Sequence, residues 1–251
     1  RDRSCTCGRR LGPTGGLKAR GSGGLLRSPS AATVGPSVTH LLVAAVSGVI
    51  ASAVANRAID CLPHETPFWR VDPPCALCGS SQGWIAYLLA GLPAPQRVRC
   101  SSCRQARRGT ERFVSTLVPL LWVLIAVRQG IGLHGAVLAL VATALVTLAT
   151  IDLHYLILPD IITLPCIVLG LGATVLHGWP VSFLDASLSA ALGYFCMMAL
   201  AKAAEAYYGD EAIGQGDWKL VAMLGAVFGS TRLLVIVVSA NAIGAAIGLD
   251  R

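Results

Sequence analysis

The chain has 251 residues, 54% of them hydrophobic and only 13% charged, well below the roughly 25% charge of ordinary soluble domains. A mean hydropathy of +0.65, collected into stretches long enough to cross roughly 30 Å of hydrocarbon, argues against a soluble fold. The net charge of +7 is no nucleic-acid footprint, because its distribution is that of membrane topology: of 20 Lys and Arg, seven lie in residues 1–37 and eight in 57–112, and charge gathered in loops is the positive-inside pattern.

Residues 1–37 are rich in Gly, Arg and Ser and carry neither a helical nor a strand period, so they form a disordered basic segment with too little apolar surface to fold alone. The chain begins at Arg1 rather than Met, which reads as a fragment or an over-extended reading frame. The first apolar stretch, 38–56 (VTHLLVAAVSGVIASAVAN), is expected to be a transmembrane helix.

A polar loop follows, residues 57–112, with six prolines and two CxxC pairs: Cys75-Ala-Leu-Cys78, twenty-one residues, then Cys100-Ser-Ser-Cys103. Four thiols at this spacing point to tetrahedral zinc with every position filled by protein, a structural rather than catalytic site. A reducing compartment favours metal over disulfides; the eight basic residues place the loop in the cytoplasm, although the seven of the tail before the first helix argue the other way. Cys166 and Cys196 sit in apolar segments and act as small hydrophobes.

Residues 113–251 form the main membrane domain, with helices expected near 113–127, 133–151, 161–177, 182–203, 218–230 and 233–249. The expected architecture is an all-α, polytopic transmembrane helical bundle with a small cytoplasmic zinc-binding loop domain. Alternation from a cytoplasmic 57–112 loop puts the 152–160 and 204–217 turns on that same side, so Asp152 and Asp217 share a face although 65 positions separate them.

Carboxylates at membrane depth are costly and usually have a partner or a water-filled cavity. Asp152 ends one apolar helix and Asp217 opens another within GQGDWKL. Gly214 and Gly216, flanking Gln215, allow backbone angles closed to other residues and close approach by an extended substrate. Two carboxylates sharing a site do not both ionise comfortably. One then activates water as a general base while the protonated one polarises a carbonyl, without a metal. HExxH and GxSxG are absent.

In order along residues 48–248, CALC…CSSC, IDLHYLILPDIITLP and DEAIGQGDWKLVAMLGAVFG resemble the type IV prepilin peptidases, membrane aspartic enzymes of the bacterial inner membrane. The resemblance implies catalytic roles for Asp152 and Asp217, with Asp160 the neighbouring non-catalytic acid. It implies prepilins or type II secretion pseudopilins as substrates, cut at the cytoplasmic face. It also implies N-methylation of the new terminus with S-adenosylmethionine, which many relatives with a tetracysteine loop perform. Departures are the shortened ASAVANRAIDCLP after the first helix, the missing Pro and Glu in RFVSTLVPLLW, and a chain that stops at Arg251 before the family's final helix. A truncated or degenerate copy, a peptidase without methyltransferase activity and an inactive scaffold of pilus assembly are the alternatives. Membrane lipid is the other expected partner, and nucleic acid is not one.

Overall fold

Apolar runs this long satisfy their backbone polar groups internally, and helices do so within a single segment. In the computed structural model of the chain, the described residues are 37–64, 78–80, 102–103, 109–209 and 214–249. They form six α-helices and, among the described residues, no strand. These are α1 (Val38–Cys61), continued by a short 3₁₀ turn (Leu62–His64), α2 (Gly109–Gln129), α3 (Leu133–Tyr155), α4 (Asp160–Ala173), α5 (Phe183–Tyr208) and α6 (Gln215–Leu249). Five of them, all but α4, are long and apolar enough to cross a membrane by length and composition. Leu42, Val46, Leu120, Leu188 and Val235 remain exposed on the helix surfaces, as a bilayer solvent permits and water does not.

The helix bounds differ from the expected ones where tertiary contacts override hydropathy. α1 continues past residue 56 to Cys61, because Asn56 and Arg57 are buried rather than at a surface. Asn56 Nδ2 donates to Ser115 Oγ of α2 at 2.8 Å. α3 runs to Tyr155, so Asp152 lies in its last turn. α4 stops at Ala173, earlier than expected, where the Thr174 hydroxyl bonds back to the Leu171 carbonyl at 2.6 Å and tightens the end. α5 extends to Tyr208, closed by Gly209 at φ 81°, whose N–H reaches the Glu205 carbonyl. At its start the Ser182 hydroxyl accepts from the Asp185 N–H at 3.2 Å, an N-cap.

Small residues set the packing. A Cβ at Gly170 would lie 2.8 Å from Val227, and one at Gly216 would lie 2.7 Å from Leu158, so the α4 segment and the first part of α6 run in parallel. Gly193 faces Val221 and Gly225 faces the Ser189 backbone, so α5 runs antiparallel to that same part.

α6 is not one continuous rod. Gly229 has φ 73° and ψ 176°, a region open essentially to glycine alone. Val221 and Leu233, which a continuous helix would hold about 18 Å apart, both pack against Gly193. The chain therefore folds back at Gly229, in agreement with two separate helices expected on either side of residues 231–232. Asp185 of α5 stabilises the break, its Oδ1 accepting the Ser230 N–H at 3.3 Å, one of the orphan donors of a new helix start.

Replacing Gly229 with Ala forces a side chain into that region and toward the Asp185 carboxylate. The expected loss is about 1–3 kcal/mol, read as a lowered midpoint of thermal unfolding in detergent, whereas Gly172→Ala, with nothing within 4 Å of its Cβ position, leaves the midpoint near that of the parent.

Candidate active site

The end of α3 and the start of α6 meet through the loop 156–159. Leu156 is the one non-glycine among the described residues with positive φ, 55°. Its N–H returns to the Asp152 carbonyl at 2.9 Å, so the helix ends in a left-handed cap directly after the last turn that carries Asp152. A side chain there costs of order 1–2 kcal/mol relative to glycine, and the following Pro159 blocks helical continuation through the residue before it. Pro159 is then the N-cap of α4, and Asp160 sits in the first turn, where a carboxylate complements the helix dipole.

This loop folds onto the start of α6. The Leu158 side chain takes the space that a Cβ at Gly216 would need, at 2.7 Å from Leu158 Cβ and 3.0 Å from its Cδ1. Lys219 Nζ donates to both Asp160 oxygens, at 2.7 and 2.6 Å. The buried Trp218 stands edge-on to Tyr194 of α5, with ring centroids 6.0 Å apart. Residues 216, 218 and 219 are thus each held by a different neighbour: the 156–159 loop, α5 and α4. Between them Asp217, partly buried in the first turn of α6, comes close enough to Asp152 to feel its charge. Asp152 is itself partly buried, and the neighbouring Ile151 is fully buried in a cluster with Ala55 and Ile59 of α1 and Val114 and Val118 of α2. The helix end that carries Asp152 is therefore anchored on the other half of the bundle.

Asp152 and Asp217, both singled out in the sequence, are brought together. Asp160 stands beside them but spends its charge on Lys219. That pair leaves Asp160 about half exposed and is worth about 1 kcal/mol or less; its contribution is orientation. His154, next along α3, bonds through Nε2 to Thr110 Oγ1 at 2.9 Å and so tethers α2. At Gly216 the close approach is made by the chain's own Leu158, while the space around Gly214 is open. Leu158, Trp218 and Lys219 were not singled out: the latter two adjoin Asp217 in the motif, but their partners lie far off in sequence. Of the four loop cysteines, Cys75 and Cys100 lie outside the described residues. Cys78 and Cys103 lie within them, and among the described residues no group of three or more His, Cys, Asp and Glu is placed to hold a metal.

Residues 139–249 match the type IV leader peptidase family. A protein of Aeromonas hydrophila named prepilin leader peptidase/N-methyltransferase is 36% identical over 154 residues, 61% of this chain and 52% of the relative. Proteins of the same name from Pseudomonas aeruginosa and Myxococcus xanthus are 30% identical over 181 residues and 28% identical over 204. These two alignments cover 70% and 81% of this chain, and 60% and 61% of the relatives. The chain spans about half the length of the first of these relatives. No solved structure matches it.

Because the Leu158 contact at Gly216 involves Cβ rather than a flexible side-chain end, Gly216→Ala displaces the loop and costs about 1–3 kcal/mol of overpacking. Gly214→Ala meets nothing within 4 Å and leaves the thermal midpoint unchanged in the same detergent measurement.

Proposed function

The chain belongs to the type IV leader peptidase family, and we propose that it is an aspartic endopeptidase removing the leader of membrane-inserted prepilins or type II secretion pseudopilins. The observation that carries the reading is the meeting of Asp152 and Asp217 at one end of the bundle, within electrostatic reach of each other. Its setting in a bacterial inner membrane, with the aspartates at the cytoplasmic face, is supported by the six arginines between α1 and α2. A precursor with a basic leader is held on that side by the same rule, so its cleavage junction and the two acids share one surface.

Hydrolysis then follows from the pair. The ionised carboxylate accepts a proton from a water as the water oxygen bonds to the scissile carbonyl carbon, and the protonated carboxyl donates to the carbonyl oxygen. The tetrahedral intermediate collapses with cleavage of the C–N bond. The carboxyl that took the proton from water gives it to the leaving nitrogen, the other carboxylate recovers its proton from the diol oxygen, and leader carboxylic acid and new amine depart. The open side of Gly214 gives an extended substrate backbone access beside Asp217. The anchored neighbours of Asp217 keep the acids in register, which matters because small misplacements are costly to such chemistry.

The relatives' names include N-methyltransferase, and methylation of the freed amine with S-adenosylmethionine is the second activity proposed for this chain. The described residues assign no place to the methyl donor. Zinc is proposed for Cys75, Cys78, Cys100 and Cys103. The donor chemistry fits, four thiols in two CxxC pairs, and Gly79, directly after Cys78, takes a φ of 71° that glycine adopts without strain. Bound there, the metal would hold the loop together and take no part in peptide hydrolysis.

Co-expression with a precursor, with leader removal read on a gel, tests the peptidase. Asp152→Ala and Asp217→Ala each lower cleavage by about 10²-fold or more at unchanged membrane accumulation, Asp160→Ala keeps much of it, and Gly214→Val lowers it by crowding the open side. Full cleavage by either of the first two variants contradicts the dyad.

Metal analysis of reduced, purified protein is expected to find zinc, lost on Cys→Ser change at the four loop positions, with leader cleavage retained and methylation reduced. Protein that carries no zinc contradicts the metal site.

A further inference from the structure

α4 carries a hydroxyl that the fold leaves without a partner. Thr163 is fully buried, and among the described residues its Oγ1 makes no hydrogen bond. Its place in a helix does not explain this. Thr116 of α2 and Thr143, Thr147 and Thr150 of α3 each donate to a carbonyl four residues back along their own helix, the ordinary outlet for a threonine in an apolar helix. The matching acceptor for Thr163, the Pro159 carbonyl, takes the backbone N–H groups of Ile162 and Thr163 instead, at 3.2 and 3.4 Å. Burying a hydroxyl without a bond is costly, and groups left so are found where a water, an ion or a reacting group completes them.

Packing on two sides brings this hydroxyl to the aspartates. α3 and α4 are the arms of a hairpin around the loop 156–159: Leu148 shares a buried cluster with Cys166, Val141 shares another with Ala173, and Ile162 packs against the cluster of Ile151. Each of these pairs straddles the loop evenly, so the α4 residues level with Asp152 are those next to Ile162, Thr163 among them. α4 and the first part of α6 run in parallel, with Asp160 on Lys219 and Gly170 on Val227. Thr163 follows Asp160 by three positions and precedes Gly170 by seven. It therefore lies on the same side of α4 and faces α6, about one turn deeper than Asp217. Asp152, Thr163 and Asp217 thus come from three helices to one end of the bundle, with the hydroxyl on the inner side.

We propose that Thr163 is a positioning residue of the aspartate pair, its hydroxyl holding the water that attacks the scissile carbonyl. A hydroxyl is donor and acceptor in one group. Its oxygen accepts one hydrogen of the water while the ionised carboxylate accepts the other, which leaves a lone pair of the water oxygen aimed at the carbonyl carbon. Orienting the nucleophile in this way lowers the barrier without any contact to the substrate. The unpartnered hydroxyl is then a cost in stability that the chemistry retains. The inference rests on the peptidase reading and adds to it the group that fixes the attacking water.

The test is cleavage of a full-length precursor by the purified full chain in detergent, with kcat and KM read separately beside the thermal midpoint. Thr163→Val keeps the shape and removes the hydroxyl. It is expected to lower kcat about tenfold or more and to leave KM within about twofold. The midpoint holds or rises, since no hydrogen bond is lost. Thr163→Ser restores the hydroxyl and with it most of kcat. Thr147→Val, which loses a bond to its own helix, is expected to keep the parent's kcat. A parent-like kcat in Thr163→Val, a midpoint that falls with the activity, a rise in KM at unchanged kcat, or a Thr163→Ser chain as slow as Thr163→Val overturns the proposal. A parent chain that cuts no precursor removes the peptidase reading and this one with it, whereas a cutting parent matched by Thr163→Val removes this one alone.

Discussion

The contact on which the site depends is the seating of Leu158 on Gly216. It closes the loop 156–159 over the first turn of α6 with only a hydrogen atom in between, and it joins a helix that ends with Asp152 to one that begins with Asp217. The left-handed Leu156 aims the loop, and Pro159 and Asp160 start a new helix at once. Lys219 and Trp218 then fix the orientation of the α6 start from two further sides. Without that contact Asp152 and Asp217 would be two ordinary helix-terminal acids.

The rest of the bundle follows the same physics. Glycines meet backbone or Cβ atoms across α1–α2 (Gly48 on Pro119), α4–α6 (Gly170 on Ala226 and Val227) and α5–α6 (Gly225 on Ser189). Helices in a bilayer gain little from hiding apolar surface from one another, and close van der Waals approach through small residues takes over that role. Two of the polar breaks in this packing find partners on a neighbouring helix. Asp185 receives the Ser230 N–H where α6 turns back, and Asn56 reaches Ser115 inside the α1–α2 contact. One break serves the fold at the end away from the aspartates, and the other ties α1 to the half of the bundle that anchors Ile151 beside Asp152.

Much of this was legible in the sequence because membrane insertion makes hydropathy nearly sufficient. The helices around residues 38–56, 133–151 and 182–203 stand where the apolar runs stand, and the interruption near Gly229 showed as a gap between two short runs. The acids at 152 and 217 were legible for the same reason, as charges at the ends of apolar helices. What escaped depends on contacts across long separations. Arg57 is charged and so marked a loop, yet it is wholly buried in the last turns of α1. Asp160 and Lys219 lie 59 positions apart, and neither residue type nor spacing announces the pair. Leu158 is one more apolar residue of the 152–160 turn until the missing side chain of Gly216 is seen opposite it. The loop cysteines remain a reading of spacing and donor chemistry, and two of the four lie outside the described residues.

Everything proposed for the chemistry requires that Asp152 and Asp217 face each other across one small space. Replacing both with cysteine, in a chain whose other cysteines are alanine, and treating membranes with a fluorogenic thiol-bridging bimane measures that directly. Bridging of positions 152 and 217 is expected, and none is expected between 152 and 185, since Asp185 lies at the far end of α6's first part beside Gly229. Failure of 152 and 217 to bridge in folded protein, or equal bridging of 152 with 185, would contradict a shared aspartate site.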